Sequence, residues 1–152
     1  MFPLKGQALL ALFFLCILPH LHSQSQANPV EPDPVSLVGL TLQELIHSFG
    51  APRSVHAARG LEEWQDDVVF VYDQGDFYVY RDRVWQVGLR TLRGINTGDS
   101  RGVVTLVLGS GAETRGASIF YPINDRSWPL MLRYDFDSAG RVQAIFIYRT
   151  DL

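Results

Sequence analysis

The clearest pattern of apolar and polar positions lies in GLTLQELIHSFGAP, residues 39–52. The apolar residues at the spacing of one helix face are Leu42, Leu45, Ile46 and Phe49. Thr41 and Glu44 have the spacing of a capping box, in which each side chain bonds a backbone N–H at the helix start. Gly50 can take the left-handed conformation that ends a helix, and Pro52 stops the helix from continuing. The pattern predicts an amphipathic helix of about nine residues.

Three short runs of β-branched and aromatic residues follow this helix. They are VVFVY at 68–72, FYVY at 77–80 and VWQVGL at 84–89. Residues 73–76, DQGD, form a turn of hairpin length that contains a glycine. Residues 53–64 are assigned to a loop. The first half is therefore predicted to be one helix followed by a three-stranded antiparallel meander.

The second half of the chain repeats this order of elements. Gly98 and Gly109 lie eleven residues apart, as do Gly39 and Gly50, and the second pair follows the first at an offset of 59 residues. Further strand candidates are 119–121, 130–136 and 142–148. The predicted fold class is α+β: two tandem helix-plus-three-strand units, with the helices on one side of an antiparallel sheet.

The register of this repeat makes SRGVVTLVL, residues 100–108, the second helix, although β-branched residues favour strands. Its apolar residues occupy more than one face, so we expect this helix to be more buried than the first. The glycine-rich stretch at 109–111 lacks the Lys-Ser/Thr of a phosphate-binding loop. It is interpreted as a helix cap and turn without chemistry.

Several stretches resemble a known family of small envelope proteins. GLTLQELIHSFGAP, IFYPI, LMLRYDF and AGRVQAI are similar in order to the SmpA/OmlA (BamE-like) pattern of capped helix, tyrosine-bearing strand, long strand and glycine turn. Two copies in one chain resemble the architecture of β-lactamase inhibitor proteins. The resemblance implies binding, either as a scaffold for outer-membrane assembly or as an inhibitor that grips a partner on the open sheet face. The disulfides of these families are absent, because Cys16 is the only cysteine. Cys16 does not fit a lipidation signal either, because Phe13, Phe14 and Leu15 precede it where small residues are needed.

The N-terminus has the order of regions found in a secretory signal peptide. Lys5 precedes an apolar stretch at 6–18, which is too short to span a bilayer comfortably, and a polar run follows. The signal peptide is assigned to 1–23, with cleavage after Ser23 or Ala27. An uncleaved membrane anchor is the alternative. The protein is expected to be exported, either to the periplasm or out of the cell.

The remaining chain is divided by composition. Residues 24–36 are polar and proline-containing, and they are assigned to a disordered tether. Two BamE-like repeats are assigned to 37–94 and 95–152.

Charge and histidine content exclude several classes of function. The formal net charge of −3 argues against non-specific binding of nucleic acid, which needs a basic surface. Beyond the leader the only histidines are His47 and His56, and neither has His or Cys at ligand spacing. We expect no metal and no cofactor.

Strand alternation places aromatic and arginine side chains on the sheet face away from the helices. The candidate partner-binding residues are Tyr78, Tyr80, Trp85, Met131, Arg133 and Arg149. Tyr, Trp and Arg dominate hot spots between proteins. Alternatively, such amphipathic side chains simply cover an exposed sheet. The expected partner is another envelope protein, and membrane contact is expected only peripherally or through an uncleaved signal segment.

Two other functions remain open from the sequence. A small secreted hydrolase could combine His56 with Ser48 or Ser54 and with Asp66 or Asp67, but no nucleophile elbow frames either serine. An apolar cavity between sheet and helices would instead favour a lipid- or small-molecule-binding module. We expect a non-enzymatic protein-interaction module.

Overall fold

The computed structural model describes residues 33–59, 67–124 and 127–151. Its main feature is one antiparallel sheet of eight strands. In chain order these are β1 (Ser54–Ala58), β2 (Asp67–Val71), β3 (Asp76–Tyr80), β4 (Arg83–Leu89), β7 (Glu113–Arg115), β8 (Ser118–Ile123), β9 (Leu130–Phe136) and β10 (Val142–Arg149). A separate small hairpin contains β5 (Thr91–Leu92) and β6 (Ile95–Asn96). Two short helices, α1 (Leu42–Phe49) and α2 (Arg101–Leu108), accompany the sheet.

The predicted fold class of two tandem helix-plus-three-strand units is wrong. The strand order is β1-β2-β3-β4-β10-β9-β8-β7, so β4 and β10 pair and make one continuous sheet. Their pairing satisfies backbone N–H and C=O groups that would otherwise lie on two open edges. The sequence also did not predict strands β1 and β7, which lie at the two edges of the sheet. Nearly all their side chains are exposed, so neither carries the alternation of a half-buried strand.

Helix α1 is confirmed together with its caps. The Thr41 side chain accepts a hydrogen bond from the backbone N–H of Glu44 at 3.1 Å. The Glu44 carboxylate in turn accepts one from the backbone N–H of Thr41 at 2.8 Å. This bond and the Thr41 hydroxyl hold the pKa of Glu44 below its usual value. Gly50 ends the helix with φ 75°.

Helix α2 is also confirmed, and it buries two residues where α1 buries only Leu45, but its apolar residues are not buried on every face. Val104 and Leu108 are buried, whereas Leu106 is 84% exposed. Val103 and Val107 are exposed as well. A single helix on a sheet buries only one of its sides. Because no other described layer covers the outer side of α2, its remaining apolar residues face outward.

The hydrophobic core lies between the helices and one face of the sheet. Strand β9 alternates between buried and half-buried residues along its whole length, as the sequence predicted. Phe77 is fully buried, and its ring centroid lies 5.5 Å from those of Phe49 and Tyr72. Leu45 of α1 and Val104 of α2 are fully buried in the same cluster. The layer between the helices and the sheet is occupied by this cluster of buried side chains.

The N-terminal predictions fall largely on residues that are not described. The signal peptide and most of the predicted tether lie outside the described ranges. Pro34–Leu37, which includes the last residues assigned to the tether, form a 3-10 helix, and Leu37 is buried in the core. Among the described helices, none is long and apolar enough to cross a membrane.

Tyr134 should make the protein sensitive to alkaline pH. Burial of its ring raises the pKa of Tyr134 to about 12 from 10.0, and its hydroxyl donates a long 3.5 Å hydrogen bond to the Leu92 carbonyl. The unfolded chain releases this proton near pH 10, while the folded chain retains it up to about pH 12. The stability contribution is therefore complete below pH 10 and is lost as pH rises from 10 to 12, by on the order of 2–3 kcal/mol.

Urea unfolding followed by circular dichroism between pH 9 and pH 12 would measure this loss. Tyr134→Phe keeps the ring and removes the titrating group, so its free energy of unfolding should fall less over this interval than that of the wild type. Equal slopes for the two proteins would contradict the assignment.

Candidate interaction face

The sheet face opposite α1 and α2, here called the open face, carries the residues predicted to bind a partner. Tyr78 and Tyr80 alternate with the buried Phe77 and Val79 along β3 and therefore point to the open face. Met131 and Arg133 do the same on β9. These four placements agree with the predicted alternation, and the binding role stays a prediction.

Trp85 also belongs to the open face, but the sheet holds it in place. It lies at a β-bulge, where the pairing of β3 with β4 shifts between Tyr78 and Val79. Its indole N–H donates a hydrogen bond of 2.9 Å to the carboxylate of Asp67 on β2. Part of the Trp85 side chain is therefore engaged in contacts within the sheet.

Arg149 does not join this group. It follows the fully buried Ile147 by two residues, so it lies on the helix side of the sheet. Its guanidinium carbon lies 5.2 Å from the ring centre of Trp128. Two hydrogen bonds of 2.9 and 2.8 Å join it to Asp151. This hydrogen bonding raises the pKa of Arg149 and lowers that of Asp151. Alternation in the last strand is ambiguous by sequence, because VQAIFIY is apolar at both parities.

Two aromatic residues of the open face were missed for the same reason. Phe146 pairs with Gly88 of β4 and with Arg133 of β9. Tyr148 pairs with Gln86 and with Met131. The pairing of β10 with both neighbours brings these rings to the centre of the sheet. The signal that could have found them is the register with β9, whose alternation is unambiguous.

The centre of the open face is a cluster of rings around one guanidinium. The guanidinium carbon of Arg133 lies 4.4 Å from the ring centre of Phe146 and 5.7 Å from that of Tyr148. Tyr78 meets Phe146 edge to face with centroids 6.4 Å apart. Burial, with a smaller contribution from Asp76, raises the pKa of Tyr78 above its usual value. The cluster joins β3, β10 and β9 into one half-buried aromatic surface.

A polar groove of about 530 Å³ borders this cluster at the end of the sheet that carries the β2–β3 turn. Tyr78 and Phe146 form part of its wall. Arg53 and Asp73 form an ion pair at its rim. Its other charged or amide-bearing lining residues are Asp76, Arg90 and Gln143.

The structure brings together only part of the hydrolase arrangement considered from the sequence. Ser54 and His56 share one side of β1, and Asp67 lies on the neighbouring strand, where it accepts the bond from Trp85. Ser48 lies on α1, and Asp66 is outside the described residues. Within the described part of the chain, no hydrogen bond joins His56 to a serine or a carboxylate. Over the same residues, no group of three or more His, Cys, Asp or Glu side chains could hold a metal ion.

Comparison with known proteins gives a likeness in fold only. No family model and no curated protein matches the chain. One solved structure is similar, with a TM-score of 0.50 and 14% identity: the crystal structure of an extracellular protein containing a SCP domain from Bacillus anthracis str. Ames. The similarity covers 84% of this chain and 49% of that one, so this chain spans about half the length of its structural neighbour.

The resemblance to SmpA/OmlA (BamE-like) proteins and to tandem inhibitor proteins is therefore wrong. The chain forms one large sheet with two short helices, and the solved structure similar to it is described only as an extracellular protein containing a SCP domain. The misleading signal has a physical cause. A cap, a short apolar stripe, a glycine and a proline are what any short helix packed on a sheet requires, so the motif reports a helix and not a family.

Proposed function

We propose that the chain is an exported, non-catalytic protein that binds a protein partner through the open face. The observation that carries the proposal is the half-buried cluster of Tyr78, Phe146, Tyr148 and Arg133 at the centre of a sheet face that neither helix covers. Aromatic and arginine side chains at the centre of a surface are the residue types that dominate protein–protein binding energy. A contiguous apolar surface with a polar rim is typical of an interaction site.

Export is supported by the signal-like N-terminus and by the extracellular location of the structural neighbour. Expression of the full chain should therefore give a processed product outside the cytoplasm. Mass spectrometry of that product should show cleavage after residue 23 or 27. A full-length product retained inside the cell would contradict the proposal.

Binding is tested by affinity capture from the envelope and secreted fractions of the source organism. The baits are the wild type and an open-face variant, Tyr78→Ala with Tyr148→Ala. Trp85 is left intact because its bond to Asp67 supports the sheet. We expect a protein that the wild type captures and the open-face variant loses by at least about tenfold, as expected when two central aromatic contacts are removed.

The matched control removes apolar surface from the other side of the molecule. Leu106→Ser with Val107→Ser changes two exposed residues of α2 and should capture the partner as well as the wild type does. Circular dichroism verifies that all three baits are folded. Loss of capture in the helix variant, or equal capture by all three baits, would place binding elsewhere and overturn the proposal.

A further inference from the structure

The guanidinium of Arg133 on the open face has two aromatic rings and one carboxylate as close neighbours. Phe146 and Tyr148 lie beside it, and its side chain is 30% exposed. Nε is buried without a hydrogen-bond partner. Asp135 Oδ2 lies 3.2 Å from Nε, an ion-pair distance, but the geometry is not that of a hydrogen bond. The Asp135 carboxylate instead accepts a 2.6 Å hydrogen bond from Ser118 through its other oxygen.

The outer edge of this guanidinium is open. Nη1 and Nη2 make no hydrogen bond to any described residue, and neither is among the buried unpartnered atoms. Neither terminal nitrogen is therefore fully buried, and both are free to donate hydrogen bonds. The rings of Phe146 and Tyr148 and the carboxylate of Asp135 lie close to the guanidinium and restrict the positions that it can take. An arginine held in this way binds a planar anion with less loss of side-chain entropy than a free one does.

Arg115 lies on the same face and differs from Arg133 in the hydrogen bonding of its guanidinium. Its guanidinium carbon lies 5.2 Å from the ring centre of Phe120, so it too is placed beside an aromatic ring. Its Nη2, however, donates a 2.6 Å hydrogen bond to the Glu113 carboxylate, which raises the pKa of Arg115 and lowers that of Glu113. Arg115 therefore already has the kind of carboxylate partner that Arg133 lacks at its outer edge.

We infer that Arg133 is a receptor for a single carboxylate, and that the protein partner inserts an aspartate or glutamate side chain against its Nη1–Nη2 edge. A carboxylate matches the planar fork of arginine and accepts two parallel N–H bonds. Phe146, Tyr148 and Met131 around it would contact apolar atoms next to the inserted acid. The inference rests on the proposed function and specifies the chemistry of the partner.

The charges of the face favour one isolated acid over a polyanion. Asp135 lies against Arg133, Asp67 and Asp76 occupy the same face, and the chain has a formal net charge of −3. A membrane rich in anionic lipid or a nucleic acid would bring many negative charges toward this surface and be repelled. A lone carboxylate in an apolar surrounding satisfies the arginine without that repulsion.

The experiment selects binding peptides from a random pool, so the partner does not have to be identified first. A phage-displayed library of random peptides of about a dozen residues is panned on the folded wild type, and peptides whose binding requires Tyr78 and Tyr148 are retained. We expect the retained peptides to share an Asp or Glu. Changing that residue to Asn or Gln should weaken binding to the wild type by at least about tenfold, because hydrogen bonds to charged groups are the strong ones.

Two variants assign that dependence to Arg133. The Arg133→Gln variant should bind the acidic peptides and their amide versions equally weakly. The Arg133→Lys variant keeps the charge but loses the planar guanidinium, so it should restore only a minor part of the preference for the acidic peptides. Arg115→Gln is the matched control and should preserve the wild-type preference, because its guanidinium is already paired.

The possible failures are distinguishable. Face-dependent peptides without an acid, or an acid dependence that persists in both Arg133 variants, overturn this inference and leave the proposed function standing. A selection that yields no peptide dependent on Tyr78 and Tyr148 overturns both.

Discussion

Replacing Phe77 by alanine should lower the free energy of unfolding by about 3–5 kcal/mol. Phe77 is fully buried between α1 and the sheet, and its ring contacts those of Phe49 and Tyr72. Truncation removes this apolar contact and leaves a cavity that the flanking rings can fill only in part. Since small domains have total stabilities of roughly 5–15 kcal/mol, the loss would be a large fraction of the whole.

Chemical unfolding in urea, followed by the fluorescence of the tryptophans, measures this change. Phe120→Ala serves as the control, because Phe120 is the same residue type on the open face and is only half-buried. Its loss should be less than half that of Phe77→Ala. Equal losses would mean that the open face contributes as much to stability as the core does, and would weaken the case for a free binding surface.

Gly75→Ala should destabilise the protein by about 3 kcal/mol, although it adds only one methyl group. Gly75 lies in the turn between β2 and β3, and a Cβ there would overlap the carbonyl oxygen of Gly88 on β4. The obstructing atom belongs to the backbone of the sheet, so it cannot turn aside as a flexible side chain would. The β3–β4 ladder must shift to accommodate the methyl group. The turn also borders the polar groove, so we expect the residues that line the groove to change position as well.

Gly102→Ala is the matched control for this prediction. Gly102 lies in the first turn of α2, and its added Cβ would meet only Ser100 Oγ at 3.8 Å, an ordinary contact. This change should stabilise the protein by about 0.5–1 kcal/mol, because alanine is the better helix former. Thermal unfolding of both variants gives opposite shifts in Tm if the two glycines have these different roles. A loss of stability in Gly102→Ala similar to that in Gly75→Ala would contradict this account.

The candidate site was predicted from sequence as far as alternation was clear. On β3 and β9 buried and half-buried residues alternate strictly, and this was sufficient to place Tyr78, Met131 and Arg133 on the open face. On β10 both parities are apolar, so the same argument placed Arg149 on the wrong side and missed Phe146 and Tyr148. The ring contacts of Arg133, which carry the further inference, join β9 to β10 and cannot be read from either strand alone.

By itself the sequence determined the local elements of this protein: both helices, the β2–β3–β4 meander and the long strands β9 and β10. Their capping residues, turns and periodicities act over a few residues, and such signals lie within one stretch of chain. Only the tertiary structure decided that β4 pairs with β10, that β1 and β7 complete the edges, and that the apolar outer side of α2 stays uncovered. Each of these outcomes depends on which distant segment supplies a neighbour. Pairing at a sheet edge satisfies backbone groups that every residue carries. The side-chain pattern of a strand therefore does not indicate which strand it pairs with.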